Sequence, residues 1–364
     1  MNSHATERLS IRDIAARADC SVGSASKVLN GSDQVSAALR ARVLKVVEET
    51  GYIPNGHARS LKSGRTGQFG LLMPFASDLY YATLLDAFNE TVMDSSCRIE
   101  VKFHRWIESE GDDAIRYFVE SGMEGLIINP WRVDYEKSSA IKLLEKRGIP
   151  YVMLGRQQNG HAPEVRQDLR RGTELLATHL ISHGHRKIAL LLPGTAKDHP
   201  AVQERIEGVK LAAARHSGTP VEIIELQNSR GNFPSARELR EYGISMSGYQ
   251  QNIQNLVDAF LHRKGGVTAA ITLNQMTAWH LINALTEKGV RVPEDFSVGT
   301  LGLSNTDQYP GFPLTTAEYS PTEIASTVMS IFWKKTFRPA PVQPTLVIRR
   351  SSGPAQARVS SSQN

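Results

Sequence analysis

From residue 68 onward, short apolar runs alternate regularly with amphipathic segments. Uninterrupted apolar runs predict strands that are buried on both faces, whereas apolar residues at helical spacing predict surface helices. The strand candidates are GLLMP (70–74), GLIINP (125–130), YVMLG (151–155), KIALLLP (187–193), AAITL (269–273) and SVGTLGL (297–303). The helix candidates are residues 80–95, 113–121, 172–184, 200–216, 249–263 and 275–288. This order predicts two parallel sheets covered by helices, with a ligand crevice at the carboxyl ends of the strands.

The N-terminal segment has a different pattern, and it carries most of the positive charge. Residues 1–66 hold 10 Lys and Arg against 6 Asp and Glu, whereas the remaining residues hold 32 against 31. Three helices are predicted, each beginning after a serine cap at Ser10, Ser21 or Ser36. Only Asp19-Cys20 separates the first two helices, which is the spacing of a helix-turn-helix.

The second of these helices lies in the stretch CSVGSASKVLNG (20–31) and carries short residues on its outer face. These residues are Ser21, Val22, Gly23, Ser24, Ser26 and Lys27. A helix that enters the DNA major groove needs such a face, because long side chains would hold its backbone away from the bases. The alternative is an ordinary solvated helix in a small bundle.

Composition argues for a protein of the cell interior. The N-terminus MNSHATERLSIRD lacks an apolar core, so no secretory signal is expected, and no apolar run is long enough to cross a membrane. Cys20 and Cys97 are too few for a disulfide framework and are expected to be free thiols. We therefore expect a soluble, cytoplasmic chain.

Signals for catalysis are absent from the sequence. It contains no nucleophile elbow, no Walker loop, no dinucleotide-binding glycine motif after a strand, and no zinc-protease motif. His183-Gly184-His185 invites a metal interpretation, but two histidines at a turn cannot close a site alone. An exposed turn is the favoured interpretation, and we expect neither an enzyme nor a cofactor nor a metal.

Residues 9–62 resemble the DNA-binding headpiece of the lac repressor (LacI/GalR) family. The matching stretches are IRDIAARADCSVGSASKVLNG, QVSAALRARVLKVVEETGYIPN and ARSLKSGRTG, in the family's order and spacing. The usual thr-val-ser-arg core is replaced by Ser24-Ala25-Ser26-Lys27. Since lysine cannot reproduce the bidentate contact of arginine to guanine, the operator sequence is expected to differ.

The resemblance implies roles for particular residues of the headpiece. Base preference falls on Val22, Gly23 and Lys27; because Gly23 offers no side chain, we expect less direct readout and more dependence on DNA shape. The other implied contacts, mostly to phosphates, are Ser10, Ser21, Ser24, Ser26, Asn30, Ser36, Tyr52 and Asn55.

The segment after Pro54 resembles the hinge helix of the same family. The resemblance implies that it folds on DNA and inserts Leu61 into the minor groove, with Ala58 near the groove and Arg59 toward phosphate. The alternative is a plain flexible linker, and residues 63–67 have that composition.

The remainder resembles the family's core, which shares the fold of periplasmic sugar-binding proteins. The supporting stretches include LLMPFASDLYYATLL, RIEGVKLA, TLNQMTAWHLINALTEKGVRVPEDFSV and LTTAEYSP. The implied effector-binding residues are Phe75, Ser77, Tyr80, Tyr81, Arg156, Arg205, Asn274 and Ser304. Arg205 has the alternative of an exposed helix arginine, and the two tyrosines have the alternative of simple core residues.

Several of these positions depart from the family pattern. Gln275 and Ser304 stand where carboxylates are usual, and Phe75 replaces an expected aspartate. Fewer carboxylates beside Arg156 and Arg205 make the expected pocket cationic, which favours an acidic or phosphorylated sugar.

The predicted fold class is an N-terminal all-α helix-turn-helix headpiece plus an α/β periplasmic-binding-protein-like core of two parallel-sheet subdomains. The predicted boundaries are headpiece 9–54, hinge and linker 55–67, core 68–352 and disordered tail 353–364. Within the core, the first subdomain takes about 68–158 and 320–340, and the second takes about 159–319 and 341–352.

The predicted function is a sequence-specific transcriptional regulator, most simply a repressor, that binds a palindromic operator in double-stranded DNA under control of a sugar-like effector. A homodimer is expected because the C-terminus lacks leucine heptads. The expected location is the cytoplasm, in association with the nucleoid. The alternatives are a regulator of the same fold without small-molecule control, a cytosolic solute-binding protein, and a sugar-acting enzyme.

Overall fold

A computed structural model gives the fold of most of the chain. The described residues are 9–29, 31–52, 66–74, 76, 79–105, 107–130, 137–155, 162–192, 200–216, 222–227, 253–258, 260, 266–303, 311–334 and 340–356. They fall into two compact units, Met1–Thr66 and Gly67–Asn364.

The smaller unit is a three-helix bundle, as the serine caps predict. Its helices are α1 (Ile11–Arg17), α2 (Val22–Leu29) and α3 (Ala37–Thr50). They share a small core in which Ile14, Ala18, Val28 and Val43 are buried. The helix α3 ends at Gly51, whose φ of 61° places it in the left-handed region that favours glycine.

The larger unit begins with a parallel five-stranded sheet in the order β2-β1-β3-β4-β5. Its strands are β1 (Gln68–Met73), β2 (Arg98–Phe103), β3 (Gly125–Ile128), β4 (Tyr151–Leu154) and β5 (Glu164–Val165). Its connecting helices are α4 (Leu79–Met93), α5 (Glu108–Glu120) and α6 (Ser139–Arg147). Because β5 pairs with β4, the first sheet extends beyond the boundary that the sequence places at residue 158.

A second sheet of six strands has the order β11-β10-β9-β8-β6-β7, in which only the β10–β11 pair is antiparallel. Its strands are β6 (Lys187–Leu192), β7 (Glu222–Gln227), β8 (Ala269–Thr272), β9 (Ser297–Leu303), β10 (Thr315–Tyr319) and β11 (Thr345–Val347). The accompanying helices are α7 (Leu169–Ser182), α8 (Pro200–Arg215), α9 (Gln275–Glu287) and α10 (Pro321–Lys334). Residues 253–258 are also helical.

The chain passes between the two sheets more than once. After β10 it returns to the first sheet, where the Phe332 ring of α10 lies 4.9 Å from the Phe69 ring of β1. It then comes back to pair β11 with β10. No helix of the described part of the chain is both long and apolar enough to cross a membrane.

The C-terminal segment differs from the disordered tail predicted from residue 353. The Gly353 amide donates to Ser297 Oγ at 3.0 Å, and the Ala355 amide donates to the His183 carbonyl at 2.8 Å. The physical reason is that Ser351–Gly353 supply hydrogen-bond partners to buried groups at one end of the second sheet, including His185 and Thr315. The segment is therefore held by hydrogen bonds as far as Ala355.

Candidate functional sites

The outer face of α2 is the first candidate site. Ala25 and Val28 are buried, which turns the predicted surface of the helix outward. Val22, Gly23 and Lys27 are exposed, with Val22 at 43% despite its apolar side chain. Ser24 and Ser26 are half-buried. The helix therefore presents the short-residue face that the sequence predicts.

The serine caps hold the backbone of this unit. Ser21 Oγ accepts from the Ser24 amide at 3.1 Å and lies 2.9 Å from Ser24 Oγ, while Ser36 Oγ accepts from the Leu39 amide at 3.3 Å. Such caps leave the other first-turn amides of α2 and α3 available for an anion. Tyr52 packs, partly buried, against the core of the small unit.

Ser10 is already engaged at the start of α1. Asp13 accepts from both the amide and the hydroxyl of Ser10 at 2.7 Å, and these bonds hold the pKa of the Asp13 carboxyl below its usual value. A DNA phosphate at Ser10 therefore meets a neighbouring negative charge. The predicted DNA contacts Asn30, Asn55, Ala58, Arg59 and Leu61 lie outside the described residues.

The second candidate site surrounds Arg205 in α8. Its Nη1 donates to the Ala201 carbonyl at 2.9 Å, and its Nε is shielded from solvent with no hydrogen-bond partner among the described residues. Burial lowers the pKa of Arg205, while nearby Tyr319, Glu204, Tyr80 and Tyr81 act in the opposite direction. Arg205 is therefore not an exposed helix arginine, and it lies within electrostatic range of both predicted tyrosines.

Tyr80 and Tyr81 of α4 are half-buried. Their rings are 5.1 Å apart and nearly perpendicular, and both pack, partly buried, against the main core. Tyr80 also donates its hydroxyl hydrogen to Gln167 Oε1 at 3.3 Å. Gln167 forms a parallel β-bridge with Val342. Tyr80 therefore contacts a segment that runs between the two sheets.

Tyr319 is a member of this cluster that sequence reasoning missed. It is 1% exposed at the end of β10, and its hydroxyl donates to the Asp168 carbonyl at 2.9 Å. Burial raises the pKa of this phenol, so it stays neutral beside Arg205. A Cβ on Gly172 would lie 2.3 Å from the Tyr319 oxygen, which explains the glycine in α7. The motif AEYSP was the available signal, but by itself it identified only the fold.

Of the remaining predicted effector residues, the structure describes only Asn274. Asn274 caps α9, because its Oδ1 accepts from the Thr277 amide at 2.8 Å. Gln275 is 3% exposed and fills the space beside Gly302. The predicted residues Phe75, Ser77, Arg156 and Ser304 lie outside the described part of the chain.

The histidines near residue 183 form a structural network. His185 is 1% exposed and lies 2.9 Å from Thr268 Oγ1 and 3.0 Å from the Gly353 carbonyl, while His179 Nε2 lies 2.9 Å from Ser352 Oγ. His185 is therefore buried, unlike the exposed turn that the sequence favoured. Among the described residues, no group of three or more side chains is arranged to hold a metal ion.

Comparison with known proteins identifies relatives of both units of the chain. Residues 10–55 match the family model of bacterial regulatory proteins of the lacI family, and residues 177–352 match a periplasmic binding protein-like domain. Similar curated proteins include the HTH-type transcriptional repressor PurR of Photobacterium profundum, 26% identical over 94% of this chain and 98% of that protein. The regulator DegA of Bacillus subtilis is 24% identical over 95% and 99%.

Solved structures share the fold. The lac repressor dimer bound to operator and the anti-inducer ONPF has a TM-score of 0.70 at 22% identity, covering 95% of this chain and all of that one. A complex of the regulator CelR with cellobiose has a TM-score of 0.60 at 22% identity and the same coverage. These relatives are regulators and not enzymes, in agreement with the absence of catalytic motifs. The chain belongs to the lacI family of DNA-binding transcriptional regulators.

Proposed function

We propose that the protein is a repressor that binds a palindromic operator as a homodimer and responds to a sugar or sugar derivative. The observation that carries the proposal is the exposed, short-residue face of α2 on a unit with an excess of basic residues. Such a face permits close approach to the major groove, and basic charge favours binding to phosphates. The proposed location is the cytoplasm, in association with the nucleoid.

The chemistry of α2 supports a particular mode of recognition. Val22 offers methyl groups to a thymine methyl, Lys27 offers one flexible cation, and Gly23 offers only backbone. Few side chains on this face can therefore form bidentate contacts with base edges. We propose that the deformability of the central base steps supplies the rest of the sequence preference, with Leu61 as the inserted side chain.

An effector site around Arg205 is supported by the surroundings of that residue. Tyr80, Tyr319 and Glu204 connect it to segments that run between the two sheets: Tyr80 donates to Gln167, Tyr319 donates to Asp168, and Glu204 pairs with Arg166. A ligand that binds here can change the relative position of the two sheets. Sugars are the proposed class because CelR is described with cellobiose and an Enterococcus faecium regulator with ribose.

A regulator of this fold without an effector is the second candidate. It is favoured by Asn274, whose side-chain oxygen is used to cap α9, and by Gln275, which is packed in the core. A panel of sugars separates the two candidates, because a ligand that binds only the folded state raises the melting temperature.

The proposal is tested by selecting preferred duplexes from a random DNA pool with the full chain, at low and moderate salt. The expected result is a palindrome with a flexible central step. Lys27→Met is expected to weaken binding at least threefold and to reduce the salt dependence by about one phosphate contact. The matched control is Lys45→Met on α3, where the lysine is 76% exposed and pairs with Glu49.

The control variant is expected to bind within twofold of the wild type. Binding that is salt-sensitive but indifferent to sequence under all conditions would contradict the operator proposal.

A further inference from the structure

The half-buried side chain of Arg205 constrains the kind of ligand that its site accepts. Arg205 Nε is inaccessible to solvent, and the one hydrogen bond that the described residues give its guanidinium goes from Nη1 to a neutral acceptor, the Ala201 carbonyl. A guanidinium has five N–H donors in a planar fork that matches the two oxygens of a carboxylate or phosphate. Most of its donor capacity therefore remains for a partner.

The carboxylate nearest in sequence favours the charged form of Arg205 but forms its ion pair with another arginine. Glu204 Oε1 accepts from Arg166 Nη1 at 2.8 Å, and Arg166 Nε also lies 3.3 Å from Glu164 Oε1. Glu164 and Glu204 thus share Arg166, and Arg205 forms no salt bridge within the described part of the chain. A partly buried cation without an ionic partner is costly, and its cost is removed when an anion binds.

The surrounding phenols do not supply a negative charge to pair with Arg205. Tyr319 donates its proton to the Asp168 carbonyl, and Tyr80 donates to Gln167 Oε1, so each hydroxyl has a carbonyl-type acceptor and remains neutral. The half-buried rings of Tyr80 and Tyr81 are suited to contact an apolar face of a ligand. The cluster therefore combines aromatic surface with one positive charge that forms no salt bridge among the described residues.

We propose that the effector carries a carboxylate or phosphate group that pairs with Arg205, and that this charge distinguishes the effector from a neutral sugar. The inference rests on the proposed effector site and specifies its ligand class. A neutral sugar can accept hydrogen bonds from the guanidinium, but it leaves the charge in place. An anion accepts hydrogen bonds from the guanidinium and also neutralises its positive charge.

The test measures thermal unfolding of the full chain with inorganic phosphate as the probe, at constant ionic strength set with chloride. Wild type is expected to be stabilised saturably, because phosphate binds the folded state. Arg205→Met is expected to raise the apparent Kd at least tenfold. Lys210→Met is the matched control, because it removes a positive charge from an exposed position of the same helix.

A second variant and a second set of probes make every outcome decisive. Arg205→Lys keeps the charge and is expected to retain part of the phosphate effect, even if Arg205→Met fails to fold. Glucose 6-phosphate and glucuronate then report phosphate and carboxylate, with glucose as the neutral counterpart. No stabilisation of the wild type by phosphate, or equal stabilisation of all variants, would overturn the inference.

The sugar series also separates this inference from the proposed function. Glucose binding as tightly as both anionic sugars, in an Arg205-dependent way, would overturn the charge requirement and leave effector control intact. The operator selection contains no sugar, so its result is independent of both outcomes.

Discussion

At the scale of single residues, Gly23 is required neither by the packing nor by the backbone of α2. A Cβ at this position would meet only Ser21 Oγ, at an ordinary 3.7 Å, although glycine inside a helix costs about 1 kcal/mol relative to alanine. We therefore expect Gly23→Ala to stabilise the small unit by about 0.5–1 kcal/mol in denaturant unfolding. Operator affinity is expected to fall at least tenfold, because the methyl group occupies space needed for close approach to the bases.

A matched glycine distinguishes this effect from stability. Gly51 has a φ of 61°, so Gly51→Ala is expected to destabilise the same unit by about 1 kcal/mol. The folded fraction of that variant should retain its operator affinity. Unchanged operator binding by Gly23→Ala would contradict the proposed approach of α2 to DNA.

The candidate site around Arg205 was predicted only in part, and the missing part has a physical cause. The R-x-x-G stretch and the tyrosine pair are local patterns, so the resemblance identified Arg205, Tyr80 and Tyr81. The role of Tyr319 depends on Asp168 and Gly172, which are remote in sequence and come into contact only through folding. Pairings of this kind leave no periodic signal.

At the scale of secondary-structure elements, the six uninterrupted apolar runs are all strands, whereas β2 and β7 were missed. Each of these two lies at an edge of its sheet, and their sequences, RIEVKF and EIIELQ, include charged residues. An edge strand is partly solvated, so it lacks the continuous apolar run on which the prediction relied.

β10 was missed for a different reason. Its sequence TTAEY is mostly polar but fully buried. The negative charge of Glu318 is compensated by Arg349, whose Nη1 lies 2.6 Å from Glu318 Oε1. That partner comes from a remote part of the chain, so local hydropathy did not indicate burial.

The crossing of α7 over α8 depends on Gly208. A Cβ there would lie 2.1 Å from the Arg170 carbonyl oxygen and 2.2 Å from Thr173 Oγ1. With a side chain at this position, the two helices could not both keep their positions. Gly208→Ala is expected to lower the free energy of unfolding of the larger unit by about 2–3 kcal/mol, measured by denaturant titration. Glu207→Ala, at an exposed position of the same helix, is expected to change it by less than about 0.5 kcal/mol. Equal effects of the two variants would contradict the close crossing.

At the scale of the whole molecule, buried histidines make the stability of the larger unit depend on pH. Burial lowers the pKa of His104 to about 3 and that of His179 to about 4, from an ordinary value of 6.5. Between pH 6.5 and about 4 the unfolded chain therefore binds protons at these positions that the folded chain does not. The free energy of unfolding consequently falls as the pH falls through this window, by about 1.4 kcal/mol per pH unit for each histidine at the steepest.

Denaturant unfolding at pH 7, 6, 5 and 4 measures this slope, and His179→Gln isolates one contributor. The glutamine amide retains a polar group toward Ser352 Oγ, which lies 2.9 Å from His179 Nε2, but it does not titrate. Carboxylates that titrate at the acidic end are common to both proteins, so they cancel in the difference between the two curves. The variant is expected to take up about one proton fewer on unfolding near pH 5. The neutral imidazole of His179 helps to fix Ser352 at one end of the second sheet. Parallel curves for the two proteins would therefore contradict a lowered pKa of His179 and its part in holding the C-terminal segment.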